Sequence, residues 1–149
     1  MDWRDSTSRE AQNDLDLLLE DSISAAADML GRNSVFVPFM LVIGVSGERG
    51  MRRLAWSGGA LTEHGARGRL ERPGDVAELR ARAMIFGVDA VAPTPGDAIK
   101  VALEHREGAA IDMVVPYRLE DATLDIDMDR VSAAAAERRL WRERAGNAE

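Results

Sequence analysis

Residues Asp97 to Tyr117 read DAIKVALEHREGAAIDMVVPY and contain the most regular alternation of apolar and polar residues in the chain. Arg106, Glu107 and Gly108 join two runs of that alternation, which predicts a β-hairpin whose three-residue loop ends in a left-handed glycine. This loop sets the register, and the apolar residues then share one side of the sheet. The predicted pairs are Ile99 with Val115, Val101 with Met113, Leu103 with Ile111 and His105 with Ala109.

An earlier hairpin is predicted from the apolar run Val35–Val45 and the run Met51–Trp56, with a loop over Ser46–Arg49. A loop of that length pairs aromatic with aliphatic side chains across the strands. The predicted pairs are Phe39 with Trp56 and Leu41 with Leu54.

Apolar residues spaced by three and four predict a long helix over Ser8–Leu30. Thr7 and Glu10 fit a capping box at its start, and Gly31 stands where a helix commonly ends.

Residues 57–74 read SGGALTEHGARGRLERPG, are rich in glycine and arginine, and show no sustained period. We therefore predict an exposed connection there. A short helix is predicted to follow from Asp75 to about Arg82, and a third strand over Ala83–Ala92.

The stretch Leu124–Asp129 alternates apolar and acidic residues, and two interpretations stay open. It can form a sixth, edge strand, or its acids can lie in the first turn of the following helix, where the backbone dipole favours negative charge. We favour a short extended segment and then an alanine-rich helix from about Asp129 to near Trp141. Residues 143–149 are expected to fray.

These elements predict one α+β domain over residues 1–149, in the order α-β-β-α-β-β-β-α. We expect a single antiparallel sheet of five or six strands with helices mainly on one face. The other face, or an edge strand, would then remain for a partner.

Two segments, FVPFMLVIG and DAIKVALEHREGAAIDMVVPYR, resemble a pattern of small uncharacterised bacterial α+β proteins. The pattern has an F-x-P-F strand and a late hairpin with D-A-I, E-H-x-x-G and P-Y. This resemblance implies the hairpin and a bacterial source, and it brings no catalytic or binding residue.

The composition of the chain argues against several classes of function. The net charge is −7, with 26 acidic against 19 basic residues, which argues against a nucleic-acid binder because phosphate neutralisation needs a basic surface. The absence of cysteine excludes disulfides and thiolate chemistry. With neither a secretory signal nor an apolar run of membrane-spanning length, we expect a cytoplasmic protein without membrane contact.

No catalytic, metal or cofactor site is predicted. His64 and His105 lack partners at metal-ligand spacing, and no glycine-rich stretch has phosphate-loop spacing. One alternative function is an enzyme in which Glu63 and His64 act as acid and base.

Asp125, Asp127 and Asp129 imitate the opening of a calcium loop. Arg130 replaces the required glycine, however, and Ala136 stands where the bidentate glutamate should be. We therefore expect no calcium site.

The leading functional hypothesis is a non-enzymatic interaction or scaffold module that forms a homodimer or binds a protein partner. Trp3 and Trp141 are its candidate interface residues, because exposed tryptophans near chain ends often contact another subunit. The alternative is a small-molecule binding or sensor domain for an anionic ligand. Its candidate binding residues are Arg67, Arg69, Arg72 and Lys100.

Overall fold

The computed structural model describes residues 7–33, 36–54, 62–90, 96–120 and 123–141. Its elements are α1 (Arg9–Asn33), β1 (Phe39–Gly44), β2 (Arg49–Arg53), α2 (Glu63–Leu70), α3 (Asp75–Glu78), β3 (Leu79–Ala90), β4 (Gly96–His105), β5 (Ala110–Glu120), β6 (Thr123–Ile126), a 3-10 turn (Met128–Arg130) and β7 (Ser132–Ala135).

All strand pairs are antiparallel, and the sheet order is β2-β1-β3-β4-β5-β6. β7 pairs with the first half of β5, beside β6, which pairs with the second half. The predicted α+β class with an antiparallel sheet is thus confirmed. The described sheet has seven strands, more than the five or six expected.

The predicted long helix is confirmed as α1, with small changes at both ends. Ser8, and not Thr7, caps it, since the Ser8 hydroxyl accepts a hydrogen bond from the Ala11 N–H at 3.1 Å. Gly31 lies inside the helix, which continues to Asn33. Its apolar side is buried against the sheet and consists of Ala11, Leu15, Leu18, Ala26 and Leu30.

The late hairpin forms between β4 and β5 in the predicted register. Three predicted pairs, Ile99 with Val115, Val101 with Met113 and Leu103 with Ile111, are observed. The His105 N–H donates to the Ala109 carbonyl at 2.8 Å, and Gly108 has the predicted positive φ, at 126°.

The predicted register of the first hairpin is wrong by three residues, since Phe39 lies opposite Arg53 and Leu41 opposite Met51. The turn is tighter than expected: the Gly47 N–H donates to the Gly44 carbonyl, and Gly47 has a φ of 93°. A shift by an odd number exchanges the two faces of a strand. Trp56 lies outside the described residues.

Two segments differ from their predictions. Residues 63–70, inside the expected exposed connection, form α2, which Thr62 caps through the Gly65 N–H at 2.9 Å. The expected last helix is replaced by the 3-10 turn and β7, because residues 132–135 pair with β5. Tertiary pairing has overridden the helix propensity of alanine. The strand predicted over Ala83–Ala92 begins earlier, at Leu79, and shortens the helix before it to α3.

Helices cover both faces of the sheet, so the expected arrangement on one face needs correction. On the first, here the α1 face, α1 packs mainly over β3 and β4. On the second, here the α2 face, Ala66 and Leu70 of α2 and Trp141 pack on the sheet residues Met40, Met84 and Phe86. No helix among the described residues has the length and apolarity needed to cross a membrane.

Candidate functional site

Two of the predicted ligand-binding residues, Arg67 and Lys100, meet on the α2 face at the carboxylate of Glu63. Lys100 Nζ lies 3.1 Å from both Glu63 oxygens, and Arg67 Nη2 lies 3.2 Å from Oε2. The Arg67 guanidinium also lies 5.1 Å from the centre of the Phe86 ring, within the range of a cation–π contact. The chain therefore already supplies a carboxylate to these two cations.

The other two predicted residues stand apart from this cluster. Arg69 and Arg72 are exposed, and the backbone N–H of Arg72 donates to Asp75 Oδ2 at 2.9 Å. The structure thus does not gather all four predicted cations into one site.

The acid–base pair of the enzyme alternative lacks the environment that this chemistry needs. Burial raises the pKa of Glu63, but Lys100 and Arg67 outweigh this and leave the pKa below its ordinary value. A general base near neutral pH needs the opposite shift. His64, its predicted partner, is exposed on α2.

A second set of buried charges lies beside this cluster, centred on Glu104 of β4. Its carboxylate is 2.9 Å from Arg82 Nη2 and accepts hydrogen bonds from the backbone N–H groups of Arg139, Leu140 and Trp141 at 2.9 to 3.1 Å. Arg82 also bonds Glu71. Glu104 thereby holds residues 139–141, here called the C-terminal segment, on the sheet.

The network encloses a cavity of about 270 Å³ between α2, the sheet and residues 135–139. Three arginines and three acids line it, so its charges balance. They are Arg67, Arg82 and Arg139 with Glu104, Asp112 and Glu137.

His105 has a structural position on the α1 face, where it is 2% exposed. Its Nδ1 accepts from the Glu107 N–H at 3.1 Å, so Nε2 carries the proton and donates to Asp14 at 2.9 Å. Asp14 also receives two hydrogen bonds from Arg80. Both ring nitrogens are used, and they tie α1 to the β4–β5 hairpin.

The outer edge of β2 is exposed, since four of its five residues are exposed. The Gly44 N–H donates to the Glu48 carbonyl at 2.8 Å. By the alternation of an antiparallel ladder, Arg49, Met51 and Arg53 then turn their N–H and C=O groups away from β1. In the described part of the chain no strand pairs with that edge.

A groove of about 570 Å³ runs beside this edge, between α1 and the β1–β2 hairpin. Its apolar floor includes Leu18, Ala25, Leu41 and Met51. Met51 is 43% exposed, an unusual fraction for a large apolar side chain opposite a core residue. The groove exists because α1 packs over β3 and β4 and leaves β2 uncovered.

The predicted interface tryptophans do not form a described surface. Trp141 is 8% exposed, and its indole N–H donates to the Val76 carbonyl at 3.1 Å, so the expected exposure is wrong. Trp3 lies outside the described residues. An interface role for either residue stays a prediction.

Sequence reasoning missed Met51 and Arg82, and it did not predict that Glu104 is buried. The alternation of β4 does place Glu104 and Lys100 on one face, but nothing local indicates what covers that face. For β2, the register depends on which glycine lies in the turn, and the sequence offers both Gly47 and Gly50.

Among the described residues, no group of three or more histidine, aspartate or glutamate side chains is placed to hold a metal ion. Comparisons with protein-family models, with curated proteins and with solved structures find no match for this chain.

Proposed function

We propose that this protein is a non-enzymatic interaction module that binds an extended segment of another protein along β2. The observation that carries the proposal is the accessible outer edge of β2 beside an apolar groove. An exposed edge of this kind accepts a further strand, whose main-chain hydrogen bonds supply affinity and whose alternate side chains supply specificity.

The side chains of β2 indicate what the added strand should contain. Arg49, Met51 and Arg53 project on the α1 face, because Met51 lies opposite the core residue Leu41. An apolar side chain opposite Met51 would enter the groove, and acidic residues two positions to either side would face the arginines. Arg49 forms an exposed ion pair with Asp21 at 3.0 Å. Arg53 is exposed and has no carboxylate partner among the described residues.

A second copy of the chain fits this edge less well. Antiparallel pairing of two complete β2 strands would set Arg49 of each copy opposite Arg53 of the other, and like charges directly opposite are destabilising. A partner with acidic residues fits better. The homodimer expected from the sequence stays a prediction.

A synthetic peptide with a central leucine and a glutamate two residues to each side, with threonines between, tests the proposal. In NMR titrations of the whole chain, we expect the backbone amide signals of residues 49–53 to shift. Met51→Pro should abolish binding, since it removes an outward N–H and leaves the ladder to β1 intact. Circular dichroism checks that this variant is folded.

Charge reversal provides the matched control. Arg53→Glu should weaken the glutamate peptide and favour its lysine counterpart, whereas Arg118→Glu, at an exposed arginine elsewhere, should do neither. Unchanged binding in folded Met51→Pro would refute the proposal. A wild-type dimer that Met51→Pro dissociates would identify a second copy as the partner and refute the acidic one.

A further inference from the structure

The charged cavity on the α2 face, on the side of the sheet opposite the groove, has no part in the function proposed above. We propose that it binds a small zwitterion with one carboxylate and one amine, in the size class of a free amino acid. The proposal rests on the charged groups that line the cavity and on which of them already have hydrogen-bond partners within the protein.

Arg82 and Glu104 form the fixed wall. Both are nearly inaccessible, at 2% and 4% exposure, and they bond each other. A second Arg82 nitrogen donates to Glu71, and three backbone N–H groups donate to the Glu104 carboxylate. This pair therefore shapes the cavity and leaves ligand recognition to its neighbours.

Arg67 is the cation with capacity to spare. Its Nε and Nη2 donate to Glu63, whereas the one acceptor of Nη1 among the described residues is the Met84 sulfur, at 3.6 Å. A thioether is a weak acceptor, so a buried guanidinium nitrogen keeps strong donor capacity on the cavity wall. Arg139, which is exposed, is a second donor within the lining. Together they form a site for a carboxylate.

Asp112 and Glu137 supply the opposite charge. Asp112 lies 3.8 Å from Lys100 Nζ, beyond hydrogen-bonding distance, and this is its ion pair among the described residues. Glu137 is exposed on the C-terminal side of the cavity. An ammonium group between them would bond two carboxylates that have no hydrogen-bonded cation among the described residues.

Size and charge together exclude the larger classes of ligand. A volume of about 270 Å³ lies just below the range of about 300–1,000 Å³ that is typical of sites for drug-sized molecules. A simple anion would meet three carboxylates in the same lining. A molecule that carries both charges can pair its carboxylate with the arginines and its ammonium group with the acidic residues.

Isothermal titration of the whole chain with glycine and L-serine tests the proposal. Matched probes lack one charge each: the methyl esters lack the carboxylate, and the N-acetyl derivatives lack the amine. We expect at least one free amino acid to bind at up to millimolar concentration and both of its derivatives to bind at least about tenfold more weakly. No binding of any free amino acid, or equal binding of either derivative, would overturn the proposal.

Variants locate the site. Asp112→Asn should weaken binding about ten- to a hundredfold, because it removes a charged partner of the amine. Arg139→Gln should also weaken it, and it retains the backbone N–H that Glu104 holds. The controls Asp129→Asn and Arg118→Gln change exposed charges outside this cavity and should leave affinity unchanged. Equal affinity in folded Asp112→Asn and wild type would place the ligand elsewhere and refute the assignment.

Discussion

The carboxylate of Glu104 is the most heavily bonded side chain of the α2 face. It compensates Arg82 and accepts from three consecutive backbone N–H groups of residues 139–141. Two distant parts of the chain therefore depend on one buried negative charge. Removal of one member of a buried ion pair is costly, because the other charge loses compensation, and Arg82 would keep only the partly exposed Glu71 among the described residues.

We expect Glu104→Gln to lower the free energy of unfolding by about 3 to 5 kcal/mol. Urea unfolding measures this loss. The C-terminal segment should also loosen, and in a Trp3→Phe, Trp56→Phe background the emission of Trp141 should shift to the red. Loss of stability without that shift would contradict the anchoring role.

Glu120→Gln is the matched control, since its contact with Arg118 at 3.8 Å joins two exposed side chains. We expect a change within about 0.5 kcal/mol. An equal effect of the two substitutions would show that burial of the charge is not what matters.

The sequence could place Glu104 on the correct face of its strand but not inside the protein. Its alternation with Leu103 and His105 fixes the face. Burial comes from residues 139–141, far along the chain in a segment predicted to be helical. Long-range coverage of this kind leaves no local pattern, so the sequence does not indicate that Glu104 is buried.

At the scale of elements, the two hairpins show when a register can be read from sequence. In β4–β5, the loop contains one glycine, and alternation on both strands supports the same pairing. In β1–β2, Gly47 and Gly50 compete for the turn, and β2 reads RGMRR without alternation. The register of the core hairpin was therefore predictable, whereas for the edge strand that carries the proposed function only its presence and antiparallel direction were predictable.

Two glycines with open space around them separate backbone strain from packing. Gly108 has a φ of 126°, Gly68 lies within helix α2, and a Cβ at either position would meet no atom within 4 Å. Gly108→Ala should lower stability by about 1–2 kcal/mol because side chains disfavour positive φ. Gly68→Ala should raise it by about 0.5–1 kcal/mol because alanine favours the helix.

Thermal and urea unfolding of the two variants measure these changes. Because neither methyl group meets a neighbour, opposite signs follow from backbone conformation alone. Changes of the same sign would contradict the assigned conformation of one of the two glycines.

At the scale of the whole molecule, the sheet separates an apolar layer from a charged one. The α1 face buries mainly aliphatic side chains, and Asp14 with its partners Arg80 and His105 is a polar group on it. The α2 face adds ion pairs of Arg52 with Asp75, of Arg82 with Glu104 and of Lys100 with Glu63. Buried carboxylates that need their charge make the stability of the protein sensitive to acid.

The pKa of Asp75 determines the direction in which its contribution to stability changes with pH. Burial raises its pKa, but hydrogen bonds from Arg52 and from the Arg72 N–H outweigh this and lower the pKa below its ordinary value. The stabilisation is therefore complete above the unfolded-state pKa of about 3.9 and is lost as pH falls through the lower folded-state value. In Asp75→Asn, this part of the acid loss should be absent.

Urea unfolding at stepwise lower pH tests the sign. The difference in stability between wild type and Asp75→Asn should be constant near neutral pH and should shrink below about pH 4. Asp129→Asn, at an exposed site, should follow the wild-type curve. A difference that stays constant into strong acid would contradict the lowered pKa of Asp75.

The contact of Glu104 with three N–H groups also affects how the protein responds to ionic strength. Dissolved ions screen exposed charges strongly and buried ones much less. The Arg49–Asp21 pair at the groove is about half exposed, whereas Glu104 is almost enclosed. Added salt will therefore loosen the rim of the groove while the C-terminal segment stays anchored, so the two faces of one sheet respond differently to the same solution.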